Sequence, residues 1–167
     1  NLIGDSHTHY RVKGRDFRVT AGGFFQVNLD IAATLVDLAL ERLNLQGDEA
    51  VLDLYAGVGM FSAFIADRAA LVAAVESYPP AVTDADENLA GFDNVDLFEG
   101  GVAPVLAGLI AAGEGPFQAA VADPPRAGLD EDVPGALAGL GVANLVYVSC
   151  DPATLARDIK RLARHGY

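Results

Sequence analysis

The only cysteine of this 167-residue sequence, Cys150, stands in the stretch Val146-Tyr147-Val148-Ser149-Cys150-Asp151-Pro152, where a β-branched run stops and a helical pattern begins. A thiol at such a junction is either buried filler or a nucleophile aimed into a cleft. Three other stretches end in the same way. Ala50 to Tyr55 (AVLDLY) runs into Ala56-Gly57-Val58-Gly59, Leu71 to Val75 (LVAAV) runs into Glu76, and Phe117 to Ala122 (FQAAVA) runs into Asp123-Pro124-Pro125-Arg126. A glycine turn between a strand and a helix lets a cofactor approach the backbone closely. Glu76 follows that turn's strand at roughly the 20-residue spacing of an acidic group that takes a pair of ribose hydroxyls. The two prolines after Asp123 fix the backbone and forbid a continued strand ladder, so that carboxylate is held rigidly. Ser62 occupies the third glycine position of the dinucleotide fingerprint, which argues against a pyrophosphate cofactor.

The elements that must position these groups alternate. Asp16 to Thr20 reads as a half-buried strand after a Gly14 turn, and Phe24-Phe25-Gln26-Val27-Asn28 leads into a helix that Asn28 or Asp30 caps. Ile31, Leu35, Leu38 and Leu43 recur at helical spacing, and the helix is expected to end near Gly47. Five short apolar strands follow, at Ala50–Tyr55, Leu71–Val75, Asn94–Phe98, Phe117–Ala122 and Asn144–Val148. They alternate with helices at Met60–Ala70, Ala81–Ala90, Val102–Ala112, Asp130–Leu140 and Ala153–Arg164, the last capped by Asp151. Asp84, Asp86 and Glu87 read as a solvated helix face. The alternation predicts an α/β fold with a doubly wound, mostly parallel sheet. It puts Tyr55, Glu76, Asp123 and Cys150 at carboxyl ends of strands, where open α/β sheets bind ligands.

Composition limits the partners. Formal net charge is −12, so a nucleic acid held by its phosphates needs most of its grip from outside this chain. Arg126, Arg157, Lys160, Arg161 and Arg164 are the candidates for a local basic patch. One cysteine excludes an internal disulfide and any all-cysteine metal site, and the scattered His7, His9 and His165 suggest no metal. No apolar run of about 20 residues is present, so no membrane span is expected and a cytoplasmic location is the default. Both ends read as cut within a longer protein: residues 1–30 as a hairpin and lead-in segment, and 31–167 as one catalytic domain.

Four stretches, taken together, resemble a known family. They are Phe24-Phe25-Gln26-Val27-Asn28, Leu52-Asp53-Leu54-Tyr55-Ala56-Gly57-Val58-Gly59, Asp123-Pro124-Pro125-Arg126 and Val148-Ser149-Cys150-Asp151-Pro152. Their order and spacing are similar to those of the S-adenosyl-L-methionine-dependent RNA 5-methyluridine (uracil-C5) methyltransferases of tRNA and 23S rRNA. The resemblance implies a Rossmann-like class I methyltransferase fold whose C-terminal strands are truncated here. It implies that Cys150 adds to carbon 6 of a uracil, with Gln26 and Asp123 beside the base and the methionine end of the cofactor. Tyr55, Gly57, Gly59 and Glu76 would belong to the S-adenosyl-L-methionine site. Met60 stands where some members have an asparagine, and the family's general-base glutamate would lie beyond Tyr167. RNA, tRNA or rRNA, is the implied partner, gripped mainly by segments outside this chain.

The chemistry suits the residue types. Carbon 5 of uracil is a poor nucleophile until a thiolate at carbon 6 converts the ring to an enolate, and cysteine combines that nucleophilicity with later expulsion. Two other readings predict different features. An amino-methyltransferase also uses an Asp-Pro-Pro motif, but expects an aromatic residue where Arg126 stands and has no use for Cys150. A non-catalytic cofactor-binding or RNA-contacting module would keep the glycine turn without needing the thiol.

Overall fold

The computed structural model describes residues 6–26 and 28–167. An antiparallel hairpin of β1 (His7–Val12) and β2 (Arg15–Thr20) turns at Lys13 and Gly14, both at positive φ (48° and 85°), the backbone that a two-residue hairpin turn requires. The remaining strands form one parallel sheet: β3 (Ala50–Leu54), β4 (Leu71–Glu76), β5 (Val95–Glu99), β6 (Ala119–Ala122) and β7 (Asn144–Tyr147). Their spatial order is β5-β4-β3-β6-β7. The chain builds outward from β3 to one side, then returns to build on the other, and the reversal lies between β3 and β6. Ligands in such sheets bind outside the carboxyl ends at that switch point.

Helices cover both faces. α1 (Leu29–Leu43), α2 (Met60–Ile65) and α3 (Pro79–Leu89) pack on one face over Val51, Val72, Ala119 and Val121. α4 (Val102–Ala112), α5 (Val133–Gly139) and α6 (Pro152–Leu162) pack on the other over Leu52, Leu54, Val75 and Ala122. Successive strand residues therefore point into different cores, which is why the central strands read as unbroken apolar runs rather than alternations.

Element types match the sequence reading, while two expectations about faces are corrected. In α1, capped as expected by Asn28, whose Oδ1 accepts from the N–H of Asp30 and Ile31, the buried stripe is Ala32, Val36, Ala39, Leu40 and Leu43. Ile31 and Leu38 face outward. Small alanines let the helix approach the sheet closely, so size rather than hydropathy chose the face. The helix stops at Leu43, with Asn44 in the left-handed conformation as its cap, before Gly47 is reached. α2 likewise ends at Ile65, short of Ala70. The second correction is Asp84, which is fully buried, whereas Asp86 and Glu87 are exposed. Its carboxylate accepts from Thr20 N–H (2.6 Å) and Thr20 Oγ1 (2.9 Å) and pairs with the Arg18 guanidinium, so α3 holds the hairpin through a buried charge. Helical spacing alone could not reveal that a partner covers this position.

Candidate active site

Ladder hydrogen bonds continue past the strand ends and set the candidate groups side by side. Ala56 N–H donates to Val75 O (3.0 Å), Asp123 N–H to Leu54 O (3.3 Å), and Val148 N–H to Ala122 O (2.8 Å). Gly100 N–H donates to Glu76 O (2.8 Å) on the far side. Glu76, the Tyr55–Gly59 turn, Asp123 and the Val148–Cys150 segment are thus neighbours along one sheet edge.

The glycine turn is built from backbone that side chains disfavour. Tyr55, Gly57 and Gly59 all have positive φ (62°, 58° and 84°). A Cβ on Gly59 would come within 2.7 Å of Leu89, so this glycine permits α3 to pack, whereas Gly57 faces open space. Asn88 of α3 steadies the turn by donating to Val58 O (2.9 Å), and it brackets Arg18 of the hairpin through both its N–H and C=O. The Glu76 carboxylate accepts from Gly57 N–H (2.8 Å), Ser77 N–H (2.7 Å) and Tyr78 N–H (2.7 Å), which fixes it against the turn.

The Tyr55 ring packs on the second core, and its hydroxyl is buried near Asp130 and Asp158. Burial first, then the Asp130 charge, pushes that phenol up to about 12. Gln26 is half-buried, and its side chain makes no hydrogen bond to another described residue. Its neighbour Phe25 stacks on Tyr10 (5.0 Å between centroids) and packs in the small cluster that contains Val58 of the turn. Val27, in the same motif, lies outside the described residues.

One group that the sequence reading did not single out, Asp53, belongs here. Asp53 is buried in β3, where its carboxyl accepts from Ser62 Oγ at 2.5 Å. Burial drives its pKa up to about 7, against the Ser62 hydrogen bonds, and the charges of Asp123 and Glu76 add to the rise. Burial likewise raises Asp123 to about 6, and its side chain has no hydrogen-bond partner among the described residues. Asp53 was in plain view, but only its burial beside two further carboxylates gives it meaning. The charges of Asp123 and Glu76 thus reach Asp53 and oppose its ionisation.

Cys150 is exposed, in the turn that joins β7 to α6. Ser149 Oγ accepts from Asp151 N–H (3.2 Å) and donates to Asp151 O (3.1 Å), and the Asp151 carboxylate caps α6 through Thr154 N–H (2.9 Å). That backbone hydrogen bond from Thr154 holds the Asp151 carboxyl below its usual range. The expected basic patch is reduced, because Arg157 and Arg161 turn inward to Asp158. Among the described residues Arg126, Lys160 and Arg164 form no ion pair, and Arg126 is the one that lies beside the cleft, next to Asp151. No group of three His, Cys, Asp or Glu side chains among the described residues is placed to hold a metal, and no described helix is long and apolar enough to cross a membrane.

A profile of the tRNA (uracil-5-)-methyltransferase family matches residues 110–166, the part that carries Asp123 and Cys150. An uncharacterized RNA methyltransferase of Halalkalibacterium halodurans is 39% identical over 99% of this chain and 36% of its own length. Another, of Streptomyces coelicolor, is 41% identical over 94% of this chain and 34% of its own length. The chain spans about a third of the curated relatives it matches. Among solved structures, the tRNA (uracil-54, C5)-methyltransferase of Pyrococcus abyssi in complex with S-adenosyl-L-homocysteine superposes with a TM-score of 0.75 at 30% identity, over 96% of this chain and 38% of that one. The 16S rRNA N2 G1207 methyltransferase of T. thermophilus, in complex with AdoMet and guanosine, superposes with a TM-score of 0.60 at 25% identity, over 83% of this chain and 38% of that one. The fold is that of the class I S-adenosylmethionine-dependent methyltransferases; the curated relatives are RNA methyltransferases, and the likeness to tRNA (uracil-5-)-methyltransferases comes from the profile over residues 110–166 and from the Pyrococcus abyssi structure.

Proposed function

We propose that the protein containing this chain methylates carbon 5 of a uridine in tRNA or rRNA, through a transient covalent bond from Cys150 to carbon 6. The observation that supports this reading is that an exposed cysteine, the Asp-Pro-Pro loop and a glycine turn backed by Glu76 follow neighbouring strands along one edge of the sheet. The residues fit S-adenosyl-L-methionine. Gly57 leaves open space where a Cβ would stand, and Glu76 offers carboxylate oxygens for ribose hydroxyls. When bound there, S-adenosyl-L-methionine supplies a sulfonium-activated methyl group. Tyr55, Gly57 and Gly59 shape that site through backbone, and Gln26 and Asp123 flank the base.

In this scheme Cys150 attacks as thiolate, the new carbon–sulfur bond places an electron pair on the enolate, and carbon 5 uses it to take the methyl group. A base then removes the carbon 5 proton, and the returning electrons expel Cys150. The resemblance puts that base, a glutamate, after Tyr167. A uridine reaches Cys150 only when flipped from its stack. We assign to Arg126 a phosphate beside the flipped nucleotide, with the rest of the RNA grip outside residues 1–167. The test uses the full-length protein with 5-fluorouridine-containing tRNA and rRNA transcripts, since fluorine at carbon 5 blocks the final elimination. A covalent adduct at Cys150 is expected, and Cys150→Ala should lose both adduct and methylation, a fall of at least about a thousandfold. Methylation that survives in the alanine variant would overturn the assignment.

A further inference from the structure

The hydrogen bonds of Asp158 lead back to the two reactive loops. This carboxylate, on α6, has no exposure to solvent. Its Oδ2 accepts from Leu129 N–H (2.9 Å) and from the Tyr147 hydroxyl (2.9 Å). Its Oδ1 accepts from Arg157 Nε (2.9 Å) and lies 2.8 Å from Arg157 Nη2 and 3.5 Å from Arg161 Nη1. Burial alone would raise its pKa, but the bonds from Leu129, Arg157 and Tyr147 together hold it below the usual range, so it is ionised at neutral pH.

The same side chains reach further along the Asp123 loop. Arg157 Nη2 donates to Ala127 O (2.6 Å), Arg161 Nη1 to Leu129 O (3.3 Å) and Thr154 Oγ1 to Arg126 O (3.0 Å). Gly128, at φ +78°, sits against this group, and a Cβ there would run into Asp158, Thr154 and Arg157. Leu129 belongs to the loop that begins at Asp123, Tyr147 ends the strand that leads to Cys150, and Arg157 and Arg161 belong to the helix that begins after Cys150.

A buried carboxylate is a poor way to gain stability alone, because the cost of taking it out of water offsets most of the attraction to its partners. Its partners here fix how the Asp123 loop sits against the Cys150 turn. We propose that Asp158 is a positioning residue for the reaction: it locks the Asp123 loop to the Cys150 turn, so that base and thiol meet at a set distance. This rests on the reading of Cys150 and Asp123 given above. It predicts a clamp specific to one half of the cleft, since no bond from this group reaches Glu76 or the glycine turn.

The experiment uses the full-length protein with Asp158→Asn, which keeps the volume and one acceptor oxygen but removes the charge. Hydrogen exchange read by mass spectrometry is expected to show Ala127–Leu129 and Cys150–Thr154 exchanging together at least about tenfold faster, with Val51–Gly59 unchanged. S-adenosyl-L-homocysteine affinity should stay within about twofold, while kcat on an unmodified tRNA or rRNA transcript falls by at least about 30-fold with little change in KM. Protection lost evenly across the sheet together with cofactor affinity would show a merely structural role and overturn the proposal. So would unchanged exchange in both loops. Arg157→Met, which retains the carboxylate but removes the bridge to Ala127, should give the same pattern more weakly and serves if the asparagine variant does not fold. If the wild-type protein neither forms the fluorouridine adduct nor methylates a transcript, the uridine reading falls, while the exchange pattern still decides on the clamp.

Discussion

The two halves of the cleft are held by different physics. On the β3–β4 side, the turn proposed to meet the cofactor is shaped by backbone: positive φ at Tyr55, Gly57 and Gly59, and amide hydrogens gathered on Glu76. On the β6–β7 side, two loops separate in sequence are fastened by side chains of α6, centred on a buried charge. The first half is local, so glycines and one acid at the right spacing announce it. The second half is assembled over long range, and only its reactive ends, Asp123 and Cys150, stand out in sequence.

Glycine substitutions separate the halves most sharply. Gly128→Ala should cost ~3 kcal/mol, because left-handed backbone strain adds to a collision with the clamp. Gly57→Ala, with similar backbone strain and open space, should cost ~1 kcal/mol and act mainly on cofactor affinity. Thermal unfolding in the full-length protein checks the order, and equal losses would erase the distinction drawn between the halves.

Glu76→Ala addresses the cofactor half alone. Loss of a carboxylate acceptor for the ribose hydroxyls should weaken S-adenosyl-L-homocysteine binding by about 10- to 100-fold in calorimetry. Reactivity of Cys150 toward iodoacetamide should be unaffected.

Protonation tests whether Asp53 and Asp123 respond to a cationic ligand. Asp53, with a pKa of about 7, and Asp123, about 6, are both raised above their ordinary values, so the free folded protein holds protons that an unfolded chain would release. These two groups therefore favour the fold most at low pH, and that contribution is lost as pH rises through about 6 and 7. A bound sulfonium stabilises the charged carboxylates and expels the protons. Affinity for S-adenosyl-L-methionine should then rise between pH 5.5 and 7.5 by up to about tenfold per unit and level off above, with a much flatter curve for the uncharged thioether of S-adenosyl-L-homocysteine. Parallel curves for the two ligands would remove these two carboxylates from cofactor recognition.

The smallest effect is expected at the mouth of the nucleophile half. Arg126→Gln should lower RNA affinity several-fold and reduce the slope of log affinity against log salt by about one, with S-adenosyl-L-homocysteine binding unchanged. An unaltered slope would take Arg126 out of phosphate contact.

Much of this molecule was legible in its residues. Alternating apolar runs and turn residues gave the order and type of the parallel-sheet elements, since strand and helix periods are local properties of the chain. Side-chain faces were less legible. Asp84 reads as solvated on α3 until the hairpin covers it, and the alanine-rich face of α1 is chosen by closeness to the sheet, which no single helix encodes. The basic residues of α6 look like an RNA surface, yet Arg157 and Arg161 are turned inward by Asp158.

By itself, then, the sequence determined a doubly wound α/β chain with a glycine turn, a rigid Asp-Pro-Pro loop and one thiol after a strand, because each is written in adjacent residues. Tertiary structure alone decided that Asp53 is buried within reach of the charges of two further carboxylates, that the Tyr55 hydroxyl is buried near Asp130, and that Asp158 joins the Asp123 loop to the strand that leads to Cys150. Those outcomes depend on burial and on pairings between distant segments, and desolvation gives a charge its meaning only once the chain has closed around it.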